Sequence, residues 1–201
     1  MKKIFPYAIC LALAACAEPR VIDLNDSGEV SRMQNVMELE YRDWTNTAEK
    51  MTKSMIASGA FKNVNKPVVA IADIKNDTMQ RFDTDVLTKK IRTTLLNSGT
   101  AQIATNYSGE DTTSSNMRKL RGDSEYDQKT IAGTGTLVAP NMSLSGKMLQ
   151  RNLKLESGWF SSVDTRVEYY LQLTLTDLKT GLSVWEDEQP IIKEGDHAPT
   201  W

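Results

Sequence analysis

The 201-residue chain is poor in the residues that most often carry chemistry: it has two cysteines, Cys10 and Cys16, and one histidine, His197. Cys10 lies inside an apolar leader and Cys16 closes it, so the body of the chain has no disulfide, and a domain of this size needs none. With so little Cys and His, a zinc centre or a Cys/His nucleophile pair is excluded as the basis of function. His197 stands in the tail His197-Ala198-Pro199-Thr200-Trp201, where a solvated side chain is the ordinary outcome. Neither sign of charge is in large excess, with 24 Lys and Arg against 26 Asp and Glu. No basic stripe stands out, which argues against a nucleic-acid partner. The apolar run from Ile4 to Ala15 falls short of the roughly 20 residues that a membrane-crossing helix needs.

Catalytic patterns are missing as well. There is no Gly-x-Ser-x-Gly elbow and no Ser-x-x-Lys. Gly133-Thr134-Gly135 lacks the further glycine and the preceding strand of a dinucleotide loop. Asp73 and Asp77 are imaginable as an acid and base pair, but solvated turn residues explain them more simply. The chain reads as a protein that is not an enzyme and uses no cofactor or metal.

What is present begins at the N-terminus. Met1-Lys2-Lys3, the apolar run and the small residues before Cys16 have the order of a secretory signal. Leu13-Ala14-Ala15-Cys16 resembles the bacterial lipobox. That resemblance implies a diacylglycerol on the Cys16 sulfur, fatty-acyl (palmitate) anchoring, and Cys16 as the first mature residue. Ala17 rather than Asp follows, so the expected station is the outer membrane, facing the periplasm. Residues 1–15 are then the signal peptide, 16–40 the lipidated N-terminus and tether, and 41–201 the domain. A tether of some 25 residues, fully extended, reaches roughly 80–90 Å. Part of it, around Met33 to Leu39, is a candidate for order against the domain.

Periodicity maps the domain. Trp44, Ala48, Met51 and Met55 form one helical stripe, with Asp43 as N-cap and Gly59 as stop. Lys66-Pro67 introduces a strand over Val68–Ile74, apolar enough to be covered on both faces, which ends in the turn-prone Lys75-Asn76-Asp77-Thr78. Leu87, Ile91 and Leu95 mark a second helix, with Asp83 as cap, Phe82 stapled to Leu87, and Gly99 at its end. A short strand follows near Ala101–Ala104, then weak helical signals at Ser114–Arg121 and Ser124–Ala132. From Met142 the period becomes two. Met142, Leu144, Gly146 and Met148 share one face, as do Val167, Tyr169, Leu171, Leu173 and Leu175. Asp177–Gly181 turns the chain into a last strand, Leu182–Glu188, carrying Trp185. The fold class is α+β: a mixed, mainly antiparallel sheet with helices packed on it.

The stretch Arg151 to Ser162 is predicted as a long hairpin tip, with Trp159 and Phe160 beside Gly158 and flanked by Arg151 and Lys154. Aromatics with Arg are the residues that anchor interfaces, so this tip is a candidate partner-binding element.

Tyr41-Arg42-Asp43-Trp44 leading into a Met-rich helix, Pro67–Asp73 leading into Asn76-Asp77-Thr78, the helix Asp83–Gly99 and the closing Leu173–Trp185 together resemble the penicillin-binding protein activator LpoB family. The resemblance covers about Tyr41 to Ile192. It implies a fold like LpoB and the TolB N-terminal domain. It also implies an outer-membrane lipoprotein, a monomer, that binds a class A penicillin-binding protein and stimulates peptidoglycan synthesis, with a bearing on cell-wall growth and cell shape. Asn76, Asp77 and Thr78 match the family's turn. The tether here is shorter and not proline-rich. The alternative is an envelope assembly or secretion lipoprotein similar to the curli secretion channel CsgG, but a pore of that kind needs extra amphipathic strands that this chain does not show.

Overall fold

The structure is a computed structural model that describes residues 26–28, 37–105, 112–154 and 165–195. The chain divides into residues 1–35 and 36–201, and every element named below belongs to the second unit. Among its described residues are three helices, α1 (Tyr41–Ala57), α2 (Asp85–Ser98) and α3 (Thr112–Lys119), and six strands. The strands are β1 (Val68–Ile71), β2 (Lys75–Asp77), β3 (Gln102–Ile103), β4 (Met142–Lys154), β5 (Thr165–Asp177) and β6 (Ser183–Gly195). They make one mixed sheet in the order β3-β1-β4-β5-β6, with β2 pairing on β4 beyond β1. β1 runs parallel to β3 and β4, β2 parallel to β4, and β4, β5 and β6 are antiparallel. The α+β class expected from the sequence is what forms.

Both long helices lie over one face of the sheet. α1 buries Trp44, Ala48, Met51 and Met55, and α2 buries Leu87, Ile91 and Leu95. Beneath them sit Met142, Leu144 and Met148 of β4 and Val167, Tyr169, Leu171, Leu173 and Leu175 of β5, in one continuous core. Each fully buried side chain of this size stabilises the fold by about 1.5–3 kcal/mol. Gly146 is part of that face because nothing larger fits: a Cβ there would stand 2.5 Å from the Gln172 carbonyl oxygen and from Leu173 Cδ2.

The helix starts differ from expectation by local hydrogen bonding. The N-cap of α1 is Glu40, and Asp43 sits at the third helical position, where its carboxylate accepts the Glu40 N–H at 3.0 Å. Asp43 thus ends the same orphan donor problem from inside the helix. α2 begins at Asp85 behind Thr84, one residue later than Asp83 implied. Asp83 still accepts the Asp85 N–H, at 2.9 Å, while Phe82 packs on Trp44 with ring centroids 5.1 Å apart. Gly99 ends the helix in the left-handed region, φ 67°, as its position suggested.

The strand read as Val68–Ile74 is broken. Three residues lie between Ile71 and Lys75, yet only two lie between their β4 partners Leu144 and Lys147. The extra residue makes a bulge, which changes which side chains face the core. Ile74 is buried and Lys75 exposed as a result. Strict alternation from Val69 and Ile71 would have driven Lys75 under the helices.

Two further expectations fail for physical reasons. Ser124–Ala132 forms successive turns, not a helix, because Asp123 and Asp127 carboxylates take the N–H groups of Glu125 and Lys129 at 3.0 Å each. Short polar side chains of this kind offer the backbone a local alternative to helix bonds. β6 runs on from Glu188 to Gly195, through Pro190, because it is the sheet's edge, where a missing N–H costs no ladder bond.

Candidate functional site

The face of the sheet opposite the helices is polar. Along β4 it carries Ser143, Ser145, Lys147, Leu149 and Arg151; along β5, Glu168, Tyr170, Gln172 and Thr174; along β6, Glu186, Glu188 and Ile192. The bulge adds Lys75 and Asp77 from β2, paired with Lys147 and Leu149. Lys75, Lys147 and Arg151 are all exposed.

Here the structure brings together residues singled out from separate parts of the sequence. Asn76 and Asp77 are in β2, not in the turn, and Thr78 begins the turn that follows. Asn76 Oδ1 accepts the Thr78 N–H at 3.1 Å, and its Nδ2 donates to the Gln80 carbonyl at 2.9 Å. The Thr78 hydroxyl is 2.7 Å from Asn76 Oδ1 and 2.9 Å from the Gln80 oxygen. The turn is tied to β4 as well, because the Met79 N–H donates to Gln150 Oε1 at 2.9 Å. Met79 itself is 63% exposed, with its sulfur 3.5 Å from Asn152 Nδ2 of β4. Gln150 and Arg151, consecutive on β4, point to opposite faces of the sheet, so the turn borders the end of β4 on the Gln150 side.

Arg151 and Lys154 are corrected from loop to strand: β4 and β5 pair without interruption to Lys154 and Thr165. Residues 151–154 read as loop because their polar side chains keep no apolar period; residues 155–162 of the expected tip lie outside the described residues. Arg151 stands opposite Glu168. The Glu168 carboxylate is buried and accepts the Tyr170 hydroxyl at 2.5 Å. That bond raises the Tyr170 phenol above its ordinary pKa, and the Arg151 charge works in the opposite direction. Trp159, Phe160 and Cys16 lie outside the described residues, as does His197. Asp73 and Asp77 are both exposed.

Sequence reading missed Met79, Gln80 and Gln150. Their partners lie 41 to 71 residues away, and no short-range pattern announces them. A charged set is also found on the helix side. Lys53 and Lys90 reach the two Glu49 oxygens at 2.7 and 2.6 Å, tying α1 to α2 and holding that carboxyl down at about 2. Among the described residues no group of three His, Cys, Asp or Glu is placed to hold a metal ion, and no helix is long and apolar enough to cross a membrane.

Residues 43–191 match the family model for the peptidoglycan-synthase activator LpoB. No curated protein matches the chain. Among solved structures, the LpoB C-terminal domain from Escherichia coli is 14% identical, with 74% of this chain and 98% of that one covered at a TM-score of 0.44. The same domain from Salmonella enterica is 16% identical over the same shares, also at 0.44. Lipoprotein GNA1162 from Neisseria meningitidis is 9% identical, covering 67% of this chain and 88% of its own at 0.34. The family model spans most of the chain, so this protein belongs to the peptidoglycan-synthase activator LpoB family.

Proposed function

We propose that the chain is an outer-membrane lipoprotein, anchored through acylated Cys16, whose domain reaches a class A penicillin-binding protein in the periplasm and raises its rate of peptidoglycan synthesis. Residues 1–15 are the signal, 16–40 the lipidated N-terminus and tether, and 41–201 the activating domain, working as a monomer. The observation that carries this reading is the family match across residues 43–191.

The contact residues in this reading are Asn76 and Asp77 of β2, Thr78 after it, Arg151 and Lys154 of β4, and, later in the sequence, Trp159 and Phe160. Their support is the pairing of β2 with β4, which sets the turn beside Gln150. Exposed Met79 supplies an apolar anchor beside Gln150 and Asn152.

The test uses the soluble chain from Ala17 with its cognate synthase. Added protein raises glycan polymerisation and peptide cross-linking, and a photoreactive side chain at Asn76 or Trp159 captures the synthase in the native envelope. Absence of both binding and stimulation at micromolar protein removes the proposal.

A further inference from the structure

Gln80 touches two places at once. Its side-chain amide lies along Leu39 like a neighbouring strand: Oε1 accepts the Leu39 N–H at 2.7 Å, and Nε2 donates to the Leu39 carbonyl at 2.9 Å. Its own backbone carbonyl is the acceptor that closes the Asn76–Thr78 turn, at 2.9 Å from both Asn76 Nδ2 and Thr78 Oγ1. Leu39 belongs to the short segment, Met37 to Glu40, by which the N-terminal part of the chain enters the domain.

That entry segment is held on all sides. Leu39 is buried in the core. The Tyr169 hydroxyl donates to the Met37 carbonyl at 3.2 Å, and Lys193 Nζ donates to the Glu38 carbonyl at 2.7 Å while pairing with Asp43 at 2.5 Å. Gly195 lets Met37 pass, since a Cβ there would stand 2.8 Å from its sulfur. Of these contacts, the Gln80 clasp bonds directly to the turn, while Tyr169 stands across from Gln150, which accepts the Met79 N–H.

We infer that Gln80 is a positioning residue: it locks the Asn76–Thr78 turn to the entry segment, so that the seating of Met37–Glu40 and the presentation of the turn are one equilibrium. The inference rests on the preceding reading only in naming that turn as a partner surface. Linkage is reciprocal, so a partner that favours the ordered turn also seats the entry segment, and a disturbance of the entry segment weakens the partner. A disturbance of Met37–Glu40 would therefore reach the turn directly through Gln80.

The experiment uses the soluble chain from Ala17 and follows, by NMR, the amide of Leu39, the amides of Thr78 and Met79, and the side-chain NH2 of Asn76. Tyr169→Phe keeps the ring that stands across from Gln150 and removes only the hydroxyl's bond to Met37. It is expected to speed exchange at Leu39 several-fold and to shift Asn76 and Thr78 with it, given the usual worth of one hydrogen bond. In Gln80→Ala the turn loosens, and adding Tyr169→Phe moves it no further. Gln80→Glu, which keeps the acceptor for the Leu39 N–H, restores part of the coupling. If Tyr169→Phe frees Leu39 while Asn76 and Thr78 keep wild-type signals and exchange, the inference is overturned. These readouts involve no synthase. Intact coupling in a chain that fails to bind a synthase would instead condemn the functional reading alone.

Discussion

The two faces of the sheet are built on opposite principles. The helix-covered face is held by volume: Leu171, Leu173, Leu175 and Met148 interlock with Met51, Leu87 and Ile91, and Gly146 is small because its neighbours fill the space. The other face is held by directed polar contacts, such as Tyr170 on Glu168 and Arg166 on Glu194. The difference teaches where to look for function. A face whose side chains are spent on packing cannot be changed to suit a partner, whereas the polar face can vary at small cost to the fold.

That contrast can be broken in steps. Leu171→Ala empties a site with no exposure and should cost about 2–5 kcal/mol, read as a lowered midpoint in urea. Gly146→Val forces apart Gln172 and Leu173 and should cost about 1–3 kcal/mol by the same measurement. A smaller loss is expected for Glu49→Gln, about 0.2–1 kcal/mol, since the Lys53 and Lys90 contacts are partly solvated. Its sign with pH is definite. The folded carboxyl sits at about 2 against an ordinary 4.5, so its contribution is complete above about pH 4.5 and disappears as pH falls towards 2. The stability gap between wild type and Glu49→Gln should close over that window. Thr174→Ala, on the polar face, should change stability by no more than about 0.5 kcal/mol. A loss there as large as that at Leu171 would end the distinction between the faces.

The covered face was the readable one. Leu87, Ile91 and Leu95 at spacings of four, and the alternation from Val167 to Leu175, announce helix and strand because the core demands apolar groups at the period of each element. The polar face makes no such demand, so the strand continuing through Arg151 to Lys154 passed for a loop, and β6 past Pro190 went unread. The bulge before Lys75 is set by the register against β4, which no local pattern contains. The candidate surface was half visible: Asn76, Asp77 and Thr78 were singled out by the family resemblance and Arg151 by residue type. Their meeting through Gln80 and Gln150 depends on contacts far apart in the chain, and was not.

We propose that this activator meets its synthase at the end of β2, the turn that follows it and the adjoining end of β4. The direct measurement is the affinity of the cognate class A synthase for the soluble chain and for its Arg151→Ala/Lys154→Ala variant, with thermal midpoints taken on both. The account predicts midpoints that agree closely and an affinity reduced roughly tenfold or more, since truncating interface anchors of this kind costs over 1 kcal/mol each. A variant that binds and stimulates the synthase as well as the wild type would contradict it.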